Sequence, residues 1–205
     1  MNNVKAQSKR NSIFLDRDTR WLSPKERELR ARTAKWVEDA FAASDATIFG
    51  VTVTCFQALR NDRGGFTKLT REELSKQLVK LFKRLDKKIL GTVAVRHGDR
   101  LRRLTAIEGG GCSGKRMHAH FLLEVPTGRA AGLDVQSIVE HAWLKCRWAL
   151  GDVFAKPCLS VGAAASYFGK TGSDAMDWEN TVLEQNNQTG ARISPIMVSL
   201  DDQHK

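Results

Sequence analysis

The chain is poor in several residue types that would each announce a function. It has one tyrosine, Tyr167, in 205 residues. It has four cysteines, Cys55, Cys112, Cys146 and Cys158, none of them a CxxC pair. A secreted disulfide framework and a zinc ribbon are therefore not expected. No apolar run approaches the ~20 residues of a membrane-spanning helix, and the start, MNNVKAQSKR, lacks the apolar core of a signal peptide. A cytoplasmic, reducing compartment is the expectation, with no membrane partner. Internal repeats and low-complexity tracts are absent as well.

What is plentiful is positive charge. The net charge is +10 and the pI about 9.7, which points to an anionic partner such as nucleic acid. The charge is uneven. Between Lys76 and Arg103 ten lysines and arginines face only Asp86 and Asp99. Between Thr171 and Lys205 six acids face only Arg192 and Lys205. A basic middle and an acidic end fit a DNA-facing core with a solvated tail.

The pattern predicts an α+β fold. Residues 1–22 read as a loose arm. Ser23, Pro24 and Glu26 make a capping box for a helix to about Ala43. Residues 46–58, ATIFGVTVTCFQA, read as a strand, and 61–65 as a turn. Thr70 caps a second helix with Glu73 closing its box. Leu74, Leu78, Leu81, Phe82, Leu85 and Ile89 form its apolar stripe. Lys76, Lys80, Lys83, Lys87 and Lys88 lie off that stripe, either as a solvated face or as a surface that tracks phosphates. Residues 102–108 and 118–125 read as strands around the loop GGGCSGKR. Asp134 caps a third helix to about Leu150; a short strand over 153–161 and an Ala-rich helix, GAAASYFGK, follow. Trp143 and Trp148 are expected in the core. The expected division is an arm and helix (1–45), a domain (46–172) and an acidic, weakly structured tail (173–205).

Chemistry is concentrated in a few residues. His118 and His120 are two apart on a predicted strand, so both imidazoles share one face and can ligate one metal. If 102–108 and 118–125 form a hairpin, Glu108 falls opposite or diagonal to them. A carboxylate with two histidines leaves positions open for substrate oxygens, which suits Mg²⁺ or Mn²⁺ better than a closed structural zinc. Glu124 is a weaker candidate ligand. Tyr167 is a candidate nucleophile toward phosphorus, and Lys170, one helical turn on, can face the same phosphate. His97, His141 and His204 have no partner at ligand spacing.

Other readings fail on particular residues. GGGCSGKR nearly matches a P-loop, but Arg116 stands where a Ser or Thr hydroxyl is needed and a strand follows. A zinc deaminase needs His-x-Glu and Pro-Cys-x-x-Cys; Ala119-His120 and a lone Pro157-Cys158 do not supply them.

Three segments in order resemble the HUH endonucleases of the rolling-circle replication initiator type. Ile48 to Thr54 resembles the first motif, an apolar strand with threonines. Met117-His118-Ala119-His120-Phe121-Leu122-Leu123 resembles the second. Ala163 to Lys170, with Tyr167 and Lys170, resembles the third. The resemblance spans roughly residues 46–172; the single tyrosine implies the one-tyrosine subtype, and its place after the histidines resembles replication initiators and small single-strand transposases rather than conjugative relaxases. It implies a five-stranded antiparallel sheet, Glu108 as third metal ligand, a 5′-phosphotyrosine intermediate and a free 3′-OH that primes synthesis. The implied partner is single-stranded DNA at an origin, with helicase and polymerase supplied by the host. Two rivals stand beside it: a single-strand transposase using the same chemistry, and a non-catalytic module on an RRM-like sheet, which should present exposed aromatics on a central strand.

Overall fold

The computed structural model describes residues 23–42, 45–110, 115–130, 132–168 and 175–183. They form an α+β fold built on a four-stranded antiparallel sheet with helices on both faces. The elements in chain order are α1 (Pro24–Ala42), β1 (Thr47–Cys55), a small hairpin of β2 (Ala58–Arg60) and β3 (Phe66–Lys68), α2 (Arg71–Ile89), α3 (Thr92–Arg96), β4 (Arg103–Glu108), β5 (His118–Val125), α4 (Thr127–Ala130), α5 (Val135–Trp143), β6 (Ala149–Pro157) and α6 (Val161–Phe168). A short 3₁₀ turn covers Trp178–Asn180.

Strand order in the sheet is β4-β5-β1-β6, so the histidine strand and the threonine strand are the two central ones. Side chains alternate between faces. Val51, Val53, Ile107, Ala119, Phe121 and Leu123 point to one face, where they pack with the α2 stripe and with Val139 and Trp143 of α5. Leu104, Ala106 and Leu122 point to the other, under Val37 and Phe41 of α1 and Ala165 and Phe168 of α6. Burying each large apolar side chain contributes roughly 1.5–3 kcal/mol.

Local signals account for the helix starts. The Ser23 N–H reaches Glu26 Oε2 at 2.7 Å, and Ser23 Oγ accepts from the Glu26 N–H. Asp134 Oδ1 accepts from the Ser137 N–H, and Oδ2 from its hydroxyl at 2.6 Å. These bonds, the hydroxyl's first, hold the Asp134 carboxyl below its usual range. Thr70 Oγ1 caps α2 through the Glu73 N–H. Glu73 does not close that box: its Oε1 accepts from Gln77 Nε2 and from the Trp148 indole N–H at 3.3 Å. Trp143 and Trp148 are both core, and the Trp143 indole N–H donates to Thr54 O.

Three expectations are corrected. Among the described residues the main sheet has four strands, where five were expected. Its outer edge at β4 is covered by residues 175–183, which bridge at Met176 and Val182 without forming a strand. Composition assigns these residues to a solvated tail, yet Asp177 and Asn180 are buried and bonded to Ser75 of α2. A short polar stretch hides such docking, because its partners are distant in sequence. Finally, α5 ends at Trp143 rather than near Leu150, and β6 spans Ala149–Pro157 rather than 153–161. Ala149, Leu150, Gly151 and Asp152 have little intrinsic strand preference. Pairing of Ala149 with Cys55 draws the start of the segment into the sheet. Pro157 closes the strand at the sheet's edge, where the missing N–H is tolerated.

Cys55 and Cys146 are buried free thiols, and burial pushes Cys55 up to about 12. No helix of the described residues is long and apolar enough to cross a membrane.

Candidate metal centre

The site is laid out by strand register. Glu108 pairs directly with His118, and His118 with Thr54; the next row on the same face is Ala106, His120 and Thr52. Phe154 of β6 pairs with Thr52 and extends that row to the edge. This hairpin and this shared face are what the His-x-His spacing and the upstream acid predicted.

Glu108 Oε2 lies 3.8 Å from His118 Nε2 and 3.9 Å from His120 Nε2. The three ligand atoms all fall within 4.8 Å of one another. Two ligands on one ion at bonds of 2.0–2.3 Å stand at most about 4.6 Å apart. Small side-chain movements therefore suffice, and Glu108, His118 and His120 can hold a metal ion. They are the one such cluster among the described residues. The Glu108 side chain is 4% exposed, His120 10% and His118 24%, so the cluster opens to solvent at His118.

Both rings are oriented from behind. His118 Nδ1 sits 2.8 Å from the Arg116 carbonyl, which can only accept, so Nδ1 donates there and Nε2 is the nitrogen turned to the cluster. His120 Nδ1 lies 2.8 Å from Thr52 Oγ1, its row neighbour. The Arg116 carbonyl in turn depends on Gly109. That residue has φ of +83°, and a Cβ there would stand 2.2 Å from Arg116 O. Glycine is required on both counts.

Tyr167 comes to the same place from α6. Ala165 and Phe168 are the buried residues of that helix, with Val161 and Ala164 partly buried beside them, and Tyr167 flanks them, 42% exposed. Its ring centroid is 5.6 Å from that of His120, nearly perpendicular. Phe168 stacks on the same imidazole at 5.6 Å and 15°. Helix α6 is tied down by α1: Arg30 Nε donates to Ser166 O at 2.6 Å and to Ser166 Oγ at 3.0 Å.

Among the predicted site residues, Glu108, His118, His120 and Tyr167 thus converge on one sheet face. Lys170 lies outside the described residues. Glu124 is on the same face but away from the cluster, buried and paired with Arg102 at 3.3 Å, so it is not a ligand here. The five lysines of α2 are exposed, but α2 packs on the opposite face of the sheet. Sequence reasoning missed Arg30, Gly109 and the role of Thr52. For Thr52 a signal existed in the alternating threonines of β1; Arg30 reaches a partner 136 residues away and left none.

No protein family, no characterised protein and no solved structure matches the chain.

Proposed function

We propose that the chain nicks and rejoins single-stranded DNA at a specific site, using Tyr167 as nucleophile, and so initiates rolling-circle replication of a plasmid, phage or related element. The observation that carries this reading is the position of the single tyrosine. Its ring abuts His120 of the Glu108–His118–His120 cluster, although it lies 47 residues later in the chain.

A divalent cation, Mg²⁺ or Mn²⁺, polarises and orients the scissile phosphate when bound at the cluster. The protein's own groups do the rest. Arg116 O and Thr52 Oγ1 fix the two imidazoles, and Glu108 supplies the negative charge. Helix α6 presents the phenol to the phosphate at the open side. The Tyr167 oxygen–phosphorus bond forms as the phosphorus–O3′ bond breaks. DNA is left as a 5′-phosphotyrosine, and the phenol proton ends on the departing 3′ oxygen as a free hydroxyl. Attack by a 3′-OH reverses the step, so rejoining needs no nucleotide cofactor. Lys170, one turn beyond Tyr167, is assigned to the phosphate charge.

The non-catalytic rival needs aromatics on the open face of a central strand. Phe121 is wholly buried and Phe49 packs beside it, both on the opposite face. The central strands offer Thr52, Thr54, His118 and His120 instead. The test is covalent trapping of a randomised single-stranded DNA pool in Mn²⁺, with adducts separated on a denaturing gel. The wild type should form a covalent adduct. Tyr167→Phe should form none, bind DNA as before and lose under about 1.5 kcal/mol of stability, the usual range for one hydrogen bond. An adduct with the Phe variant would place the nucleophile elsewhere and end this reading.

A further inference from the structure

Beside the cluster, strands β1 and β6 part. Val53 pairs with Val153 and Cys55 with Ala149, so Thr54 alone faces Leu150, Gly151 and Asp152. A bulge of this kind bends a strand and re-aims its side chains, and bulges gather at functional sites. Thr54 Oγ1 donates to Asp152 O at 2.9 Å and pins the bulge. The result is a shallow hollow of about 300 Å³ lined by Thr52, Thr54, Gly151, Asp152, Val153 and Phe154, at the low end of the roughly 300–1,000 Å³ of ligand sites. Phe154 is 51% exposed, and Lys156 Nζ lies 5.0 Å from its ring centroid.

We infer that this hollow holds one unpaired nucleobase of the DNA strand, stacked on Phe154 and read by the Asp152 carboxylate. The inference rests on the proposed DNA reading of the neighbouring cluster. Phe154 and His120 flank Thr52 in one row, so they stand two strand spacings, about 10 Å, apart. A base next to a phosphate at the cluster is therefore within reach of the hollow. The charge says which part of the strand enters. A carboxylate repels phosphate, so the backbone stays out and runs toward Lys156, while the base turns in. An exposed aromatic ring takes any base by stacking. Asp152 accepts hydrogen bonds only, so it favours a base with an amino group, such as cytosine through its N4. Thymine has no amino group, and its one donor, N3–H, lies between two carbonyl oxygens that repel a carboxylate. Gly151, with nothing within 4 Å of a built Cβ, leaves the mouth open.

The experiment uses the full chain with fluorescent dC₁₂ and dT₁₂ in EDTA, read by anisotropy. The wild type should bind dC₁₂ at least about 5-fold tighter than dT₁₂. Phe154→Ala should weaken both by about 5- to 150-fold, the loss of one base–aromatic stack, and Phe154→Trp should retain them. Asp152→Asn, which can donate to thymine, should collapse the preference. Both side chains are exposed, so thermal melting should not move. Equal binding of the two oligonucleotides by the wild type, unchanged binding by Phe154→Ala, or an unchanged preference in Asp152→Asn would overturn the inference. Binding in EDTA needs neither metal nor Tyr167. If no adduct ever forms while Phe154→Ala loses binding, the nucleobase site stands and the nickase falls. If adducts form while Phe154→Ala binds normally, the reverse holds.

Discussion

At the scale of single residues, the site depends on groups that never touch a substrate. The Thr52 hydroxyl is the partner of His120 Nδ1, and partners of this kind set ligand orientation and basicity. Thr52→Val keeps the shape and deletes the bond. It should weaken Mn²⁺ binding by about 10- to 100-fold, read as a smaller thermal shift at fixed Mn²⁺. The wild type should gain about 2.7 kcal/mol at 100 times its Kd. An unchanged shift would mean that the ring is held by Phe168 stacking alone. Gly109 acts one step further back. Gly109→Ala meets Arg116 O at 2.2 Å and an unfavourable φ together. The carbonyl must move, and the His118 ring moves with it. The expected outcome is a destabilisation of about 1–3 kcal/mol with loss of the Mn²⁺ shift. A variant with normal metal binding would show that the turn can relax without disturbing His118.

At the scale of elements, what was legible was what is local or periodic. The hairpin of β4 and β5 follows from two strands around a glycine-rich loop. Once the alternation is read, Glu108 and the two histidines have no other face to occupy. The caps at Ser23, Thr70 and Asp134 are spacing signals and are found as such. The start of β6 was not legible, because Leu150, Gly151 and Asp152 are strand residues only by virtue of β1 beside them. The role of α1 was equally hidden. Read from sequence it is a preliminary helix. In the fold Val37 and Phe41 are core, and Arg30 holds the last turn of α6, whose terminal carbonyls need partners. Arg30→Ala should therefore loosen the helix that carries Tyr167. Adduct formation should slow by about 10- to 100-fold, since a misplacement near 1 Å costs that much, while Mn²⁺ binding stays normal. If adduct formation is unaffected, the α1–α6 contact is packing only.

At the scale of the whole molecule, the lysine run of α2 and the candidate site are on different sides. The stripe of α2 is buried against one face of the sheet, so Lys76, Lys80, Lys83, Lys87 and Lys88 point outward from that side. Glu108, His118, His120 and Tyr167 gather on the other face, between α6 and the open edge. Lys76 is further engaged with Glu72 at 2.6 Å. A short strand at the cluster cannot reach these lysines through the sheet and its two helical layers. Exposed cations on the near side include Arg116 at the β4–β5 turn, Lys156 on β6 and, on α1, which packs on that face, Lys25 and Arg27. The composition that pointed to nucleic acid thus does not by itself locate the site, and the lysine run belongs to a longer path around the molecule or to solvent. The two differ in how binding depends on DNA length. Every phosphate deprived of its lysine lowers the salt slope by about 0.7 for a single strand. Lys80→Gln/Lys83→Gln/Lys87→Gln should leave the slope for a 12-mer unchanged. For a strand of about 40 nucleotides it should reduce the slope by about 2, if all three lysines meet phosphate. An unchanged slope at both lengths would leave the run as a solvated face, with affinity resting on the near-side cations. A reduced slope for the 12-mer would mean that short strands bind on the α2 side, away from Tyr167, and would count against the proposed nicking geometry.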